Sequence, residues 1–379
     1  MRRFLITVIT LFTFTLGISG HAASLVPATP KIKAKGYLLM DYDSGRVLAE
    51  KNADARMEPA SLTKMLASYV VAYELAQGNI GLGDEVTVSE KAWRMPGSRM
   101  FIEVGKRVSV EDLMRGVIIQ SGNDATVALA EYVAGSEDAF VSLMNQHAAE
   151  LGMTDSHFVN STGLPHEDHY TTPRDLARLA RALIRDFPEH YEWYSEQQFT
   201  YNGIKQYNRN TLLGRNKDVD GIKTGHTESA GYCLVASAKR NGMRLISVVL
   251  GTNSKAARAS ESQKLLTYGF RFFETHRLYA ANEPLSNARI WKGEQEELPL
   301  GLADDLYVTI PKGQYKKLDA SMKIDARITA PVKAGQALGT VDIRLGDQRY
   351  ASRKLVALAS VEKGGLFGNL LDEVKLLFE

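Results

Sequence analysis

Cysteine is nearly missing from this chain: among 379 residues there is one, Cys233, so no internal disulfide can form and no thiolate cluster exists to hold a metal. Lying between Tyr232 and Leu234 in an apolar run, it reads as core filling. Charge of one sign is missing too. Lys and Arg number 46 against 44 Asp and Glu, a formal +2 that Arg2 and Arg3 supply by themselves. Nothing in that balance suggests a phosphate-backbone binder, and no nucleic-acid partner is expected. Prolines are few, at 11, and the chain reads as an ordinary folded protein of two domains or one large one. The first apolar run, Phe4 to Leu16, follows Met1-Arg2-Arg3 and is somewhat short for a full span. With Gly20 and Ala22 at the positions that set cleavage, residues 1–22 read as an export signal, with cleavage after Ser24 as the alternative.

Taken in order, 36–42 and 47–49 form an expected hairpin about Asp43-Ser44-Gly45-Arg46. A second strand pair is expected near 85–89 and 99–104. Ser109-Val110-Glu111-Asp112 is a capping signature, and Val110, Leu113, Met114, Val117 and Ile118 follow at helical spacing. Residues 151–174 read as loop. Their His157, His166 and His169, with Glu167 and Asp168, lack the helical His-Glu-x-x-His pattern, so no metal site is expected. A short amphipathic helix over 175–184 precedes strands at 231–238 and 243–250, joined by Lys239-Arg240-Asn241-Gly242, and a long helix from 256 to 273. The simplest assembly is α/β (α+β), an antiparallel sheet built from the two ends of this region with helices on both faces. After Tyr279 short alternating segments predict a small all-β module. Leu366, Phe367, Leu370, Leu371, Val374, Leu377 and Phe378 then share one face of a terminal helix, too short to span a bilayer but suited to lie on one, or to pack onto the β module or a partner.

Three polar motifs stand out from this apolar frame. Ser61-Leu62-Thr63-Lys64 heads an apolar helix and puts a hydroxyl and an amine on one face. A serine needs a base to act as a nucleophile, and a desolvated lysine is one; against that, a chain of this length holds roughly one Ser-x-x-Lys by chance. Ser121-Gly122-Asn123-Asp124 falls between two apolar helices, either as a simple capped connection or as side chains presented to a cleft. Lys223-Thr224-Gly225-His226 precedes the second strand pair. The ordered triple is far more specific than any member.

That triple resembles the signature of serine β-lactamases and penicillin-binding proteins, and the whole chain is most similar in organisation to the exported low-molecular-weight D-alanyl-D-alanine carboxypeptidases of Gram-negative bacteria. The resemblance implies a transpeptidase/β-lactamase-like domain over 29–283, a β-rich stalk over 284–361 and a membrane-anchoring amphipathic helix over 362–379. It implies removal of the terminal D-alanine from peptidoglycan pentapeptide stems through an acyl-enzyme, acylation by β-lactam antibiotics, no cofactor, and a place on the periplasmic side of the inner membrane against its lipid surface. By the same resemblance Ser61 attacks, Lys64 takes its proton, Ser121 passes a proton to the leaving amine, and Asn123 holds the substrate amide. Lys223, Thr224, Gly225, His226 and Arg209 bind the substrate, with the backbone amides of Ser61 and His226 as the oxyanion hole. Gly122 stands where the commoner form has aspartate, which matches the carboxypeptidase branch. No Glu-x-x-Leu-Asn segment occurs in 151–174, where class A β-lactamases keep a deacylating glutamate, so a penicillin target is favoured over a β-lactamase. A peptidoglycan-binding protein without activity is the reading from another class, and the three intact motifs weigh against it.

Overall fold

The computed structural model describes residues 26–365 and Asp372. The expected export signal, 1–22, and the apolar positions of the expected terminal helix, 366–378, lie outside the described residues.

Five strands form the central sheet: β1 (Gly36–Asp41), β2 (Val47–Lys51), β3 (Val219–Thr227), β4 (Gly231–Arg240) and β5 (Met243–Thr252), in the order β2-β1-β5-β4-β3. Every neighbouring pair is antiparallel, and the first strand closes on the last with Gly36 opposite Leu250 and Asp41 opposite Leu245. Alternation along these strands sends side chains to opposite faces. Leu38, Met40, Val235, Ile246 and Val248 join one core, and Leu39, Leu234, Ala236, Leu245 and Val249 join another. The first core holds α1 (Thr63–Ala76), α2 (Val110–Arg115), α3 (Asn123–Ala134), α4 (Glu137–Glu150) and α5 (Pro173–Asp186); the second is covered by α6 (Lys255–Phe272). Each residue of α1 from Thr63 to Ala72 is buried, so Lys64 is carried into the interior by a helix with no solvent face over that stretch.

Glu85–Thr87 does pair, but with Arg107–Ser109 and not with 99–104. Asp124 explains the difference: its carboxylate accepts the backbone N–H groups of Met100 at 2.8 Å and of Phe101 at 2.9 Å, which uses donors that a ladder would need. Phe101 is left-handed there, with φ 68°. The hairpin of Gln198–Tyr201 and Ile204–Tyr207 is an addition to the expected elements. Its turn, Asn202-Gly203, has both residues at positive φ, 47° and 73°, the geometry for which Asn-Gly is favoured.

Beyond α6, Phe273–Tyr279 pairs with Leu306–Pro311. A six-stranded sheet follows in the order Leu318–Ile324, Ala337–Leu345, Gln348–Ala357, Glu297–Gly301, Ser286–Trp291, Ile328–Thr329. Leu298, Leu300, Val341, Ile343 and Leu355 are among its core residues. The two units are pinned at the end of β1: Thr275 donates to Asp41 Oδ2 at 2.7 Å, Arg46 donates to Thr309 O at 2.6 Å, and the Arg46 guanidinium lies 4.1 Å from the Tyr350 ring centre.

Candidate active site

Ser61 sits in a single 3-10 turn, Ala60–Leu62, that leads into α1. β3 is pressed against this turn. A Cβ on Gly225 would fall 2.8 Å from Pro59 O and 3.2 Å from Leu62 Cγ, so glycine is what allows the strand to approach. The loop on the other side is equally close: a Cβ on Gly163 would fall 1.9 Å from Ala60 O, and Gly163 has φ 84°.

Lys64 lies beneath the turn, 1% exposed. Its Nζ donates to Asn123 Oδ1 and to Thr162 O, each at 2.6 Å, and is 3.3 Å from Ser61 Oγ. The Asn123 amide is oriented by its own donation to Pro96 O at 2.6 Å. Burial pushes the Lys64 amine down to about 7, with Arg209 acting in the same direction and Asp124 against it. A neutral amine has two hydrogens and one lone pair. In that neutral form the two short bonds can use the hydrogens, which leaves the lone pair for the hydroxyl of Ser61. The cation that weighs on Lys64 is thus Arg209, while Lys64 in turn weighs on Lys223.

Ser121 ends the wide turn Gly116–Gln120 in the left-handed conformation, φ 66°. Its Oγ accepts from Lys223 Nζ at 2.8 Å, and Lys223 also donates to Thr224 O at 3.1 Å. Burial, then Lys64, Arg209 and Arg258, hold the Lys223 amine well below its ordinary range. The helix start at Asn123 is therefore more than a capped connection: Ser121 and Asn123 each meet a different lysine.

Ser61, Ser121, Asn123, Arg209, Thr224, Gly225 and His226 line one cavity of about 490 Å³. Lys64 and Lys223 stand behind it, each reaching a lining hydroxyl. Arg209 is exposed at the rim, donating through Nε to Gln120 O at 2.9 Å. The exposed His226 ring lies 4.0 Å from that of Tyr232.

Three contributors escaped the motif reading. Thr162 serves through its backbone carbonyl, which residue type does not reveal. Asn160 shapes that loop, its Oδ1 accepting from the N–H groups of Gly163 at 2.7 Å and Leu164 at 3.1 Å; an Asn followed three residues later by Gly is a turn signal. Arg258 on α6 is 6% exposed and lines the same cavity, donating to Gly225 O at 3.2 Å. Nothing in its helical context marks it.

Cys233 is buried, and burial pushes its thiol up to about 11, a group without nucleophilic character. Among the described residues no three His, Cys, Asp or Glu side chains are grouped to hold a metal ion. His157 Nδ1 meets Asp168 O at 2.8 Å, whereas His169 turns into the core.

Residues 23–254 match the peptidase S11 family, described as D-alanyl-D-alanine carboxypeptidase, and residues 273–363 match the penicillin-binding protein 5 C-terminal domain. The chain is 47% identical over 375 residues to the D-alanyl-D-alanine carboxypeptidase DacC of Escherichia coli, covering 97% of this chain and 94% of that protein. It superposes on the crystal structure of penicillin-binding protein 5 from Haemophilus influenzae with a TM-score of 0.86 at 44% identity, covering 89% of this chain and all (100%) of that one. A third likeness, to penicillin-binding protein D2 of Listeria monocytogenes in its ampicillin-bound form, has a TM-score of 0.60 at 31% identity and covers 64% of this chain and 100% of the other.

Proposed function

Because the chain belongs to the D-alanyl-D-alanine carboxypeptidase family of S11 peptidases, we propose that Ser61 is its nucleophile and Lys64 the base that activates it. The enzyme removes the terminal D-alanine from peptidoglycan pentapeptides through an acyl-enzyme and is acylated by penicillin. Ser61 Oγ gives its proton to neutral Lys64 as it attacks the carbonyl between the two D-alanines; general-base help of this kind contributes about 10²–10⁴-fold. The oxyanion forms against the N–H groups of Ser61 and His226, where each donor is worth about 10²–10³-fold. Ser121, linked to Lys223, passes a proton to the departing amine, and water then releases the shortened peptide. Asn123 orders Lys64 and accepts or donates to the substrate amide. Lys223 and Thr224 face the free carboxylate of the terminal D-alanine, with Arg209 supplying a guanidinium from the rim.

The observation that carries this reading is the position of Lys64 Nζ, whose two short donor bonds leave one direction, at 3.3 Å, toward Ser61 Oγ. Ser61→Ala is expected to abolish both D-alanine release and penicillin labelling with an unchanged melting curve. Wild-type release by the purified variant would make another residue the nucleophile.

The location proposed for the enzyme rests on the sequence of its two terminal segments. No helix among the described residues is long and apolar enough to cross a membrane, and the sided apolar pattern at 366–378 supports peripheral attachment to the periplasmic face of the inner membrane after export. Asp372, Glu373 and Glu379 outweigh Lys375 and nearby Lys363 there, so attraction to anionic lipid is weak and apolar insertion must dominate. Deleting 365–379 moves activity from washed membranes to the soluble fraction on this account; retention on the membrane after signal cleavage would contradict it.

A further inference from the structure

One buried titratable group takes no part in the steps above. His169 is 2% exposed, with the Phe158 ring edge-on to it at 5.4 Å. Its Nδ1 accepts the N–H of Val159 at 3.1 Å, so the single proton of the neutral ring sits on Nε2. Burial, with His157, His166 and Lys64 adding to it, pushes the ring down to about 4, so the neutral form prevails at pH 7. Nε2 lies 2.8 Å from Thr63 Oγ1, and Thr63 Oγ1 donates to Ala60 O at 2.9 Å. The proton directions are then settled: Val159 N–H to His169, His169 Nε2–H to Thr63, and Thr63 O–H to the Ala60 carbonyl.

That carbonyl is one end of a peptide unit whose other end is the N–H of Ser61. The unit is planar and trans, so fixing the oxygen fixes the direction of the N–H. The Thr63 hydroxyl adds a second donor to that oxygen, which also accepts the backbone N–H of Thr63. Ala60 has φ 49°, a region L residues avoid, and the Gly163 loop packs over the same atoms, since a Cβ there would meet Ala60 O at 1.9 Å and Thr63 Oγ1 at 2.9 Å. A hydrogen bond accepted by a carbonyl also polarises its peptide and strengthens the N–H at the far end.

We propose that His169 and Thr63 form a buried relay that aims the Ser61 N–H at the developing oxyanion, with His169 as a positioning residue. This rests on the reading of Ser61 as nucleophile and of its amide as an oxyanion donor. In the full-length enzyme, Thr63→Val removes the hydroxyl and keeps the shape, and His169→Leu removes the donor. Each is expected to slow penicillin acylation about tenfold to hundredfold, less than the about 10²–10³-fold of a deleted oxyanion donor, with little change in the concentration at half-saturation. The double variant is no slower than the slower single one, because both break one chain. His169→Gln restores most of the rate, since its amide can accept from Val159 and donate to Thr63. The ester carbonyl stretch of the penicilloyl-enzyme, read by infrared difference, moves to higher wavenumber in Thr63→Val and His169→Leu as its hydrogen bond weakens. Unchanged rates and carbonyl frequency in Thr63→Val, with Ser61 still the labelled residue, overturn the relay whatever happens to the melting temperature. If His169→Leu does not fold, Thr63→Val decides alone. Labelling at a residue other than Ser61 would overturn the underlying reading instead.

Discussion

The cleft of the first unit and the six-stranded sheet of the second are built on opposite terms. Around Ser61 the interior holds Lys64, Lys223, Arg258, Asp124 and Asn123, all buried. Beyond Phe273, Thr309 is the only fully buried polar residue among those described, and it faces back to the first unit, where its hydroxyl lies 2.5 Å from Ser44 Oγ. A buried cation has lost its hydration and persists only where hydrogen bonds or deprotonation compensate. Lys64 illustrates the cost. Unfolded, it keeps its proton up to about 10.5; folded, it releases it near 7. The unfolded chain binds more protons between those values, so this group's contribution to stability rises with pH across that window. The β unit carries no such burden. A region whose buried charges work against its own stability is a site, and one whose interior is predominantly apolar is a support.

That contrast can be broken at either end. The largest expected effect on stability is Leu300→Ala in the apolar core, where the residue is fully buried; calorimetry should show a loss of about 2–5 kcal/mol, while penicillin acylation per folded molecule stays at the wild-type rate. A comparable loss of acylation would mean that the β unit shapes the cleft. A smaller and more selective effect is expected from Arg209→Ala at the rim. Removing a guanidinium partner from a carboxylate costs about 1.5–3 kcal/mol, so kcat/KM for a free-acid peptide should fall about tenfold to hundredfold and that for its C-terminal amide much less. Equal losses on both substrates would assign Arg209 to its bond with Gln120 O instead.

How much of this was legible in the sequence depended on which atoms did the work. Where a site is proposed to act through side-chain functional groups, as at Ser61, Lys64, Ser121, Asn123 and Lys223, the ordered triple of motifs and the family resemblance it carries pointed to the residues that the fold brings to one cleft, although each motif alone left a plain structural reading open; the strands and helices that carry them followed from apolar periodicity. Where the backbone acts, nothing pointed there: Thr162 is a carbonyl, and any residue supplies one. The misplaced strand at 99–104 failed for a related reason. The segment was compatible with pairing, but Asp124, for which helix capping was one of two open readings, sends its carboxylate across to take those amides, a long-range contact that local pattern cannot weigh. Arg258 sits mid-helix on α6, and only the fold turns it toward the cavity. The Asn202-Gly203 hairpin, by contrast, carried a recognisable turn signal.

The central claim is that Lys64 is a neutral amine held against Ser61, and the direct measurement is its pKa. In enzyme labelled with ¹³C at lysine Cε, the Lys64 resonance, assigned by its loss in Lys64→Arg, should titrate with a midpoint near 7, while exposed lysines titrate near 10.4. A Lys64 midpoint near the exposed value would leave the amine protonated at neutral pH and contradict its role as the base.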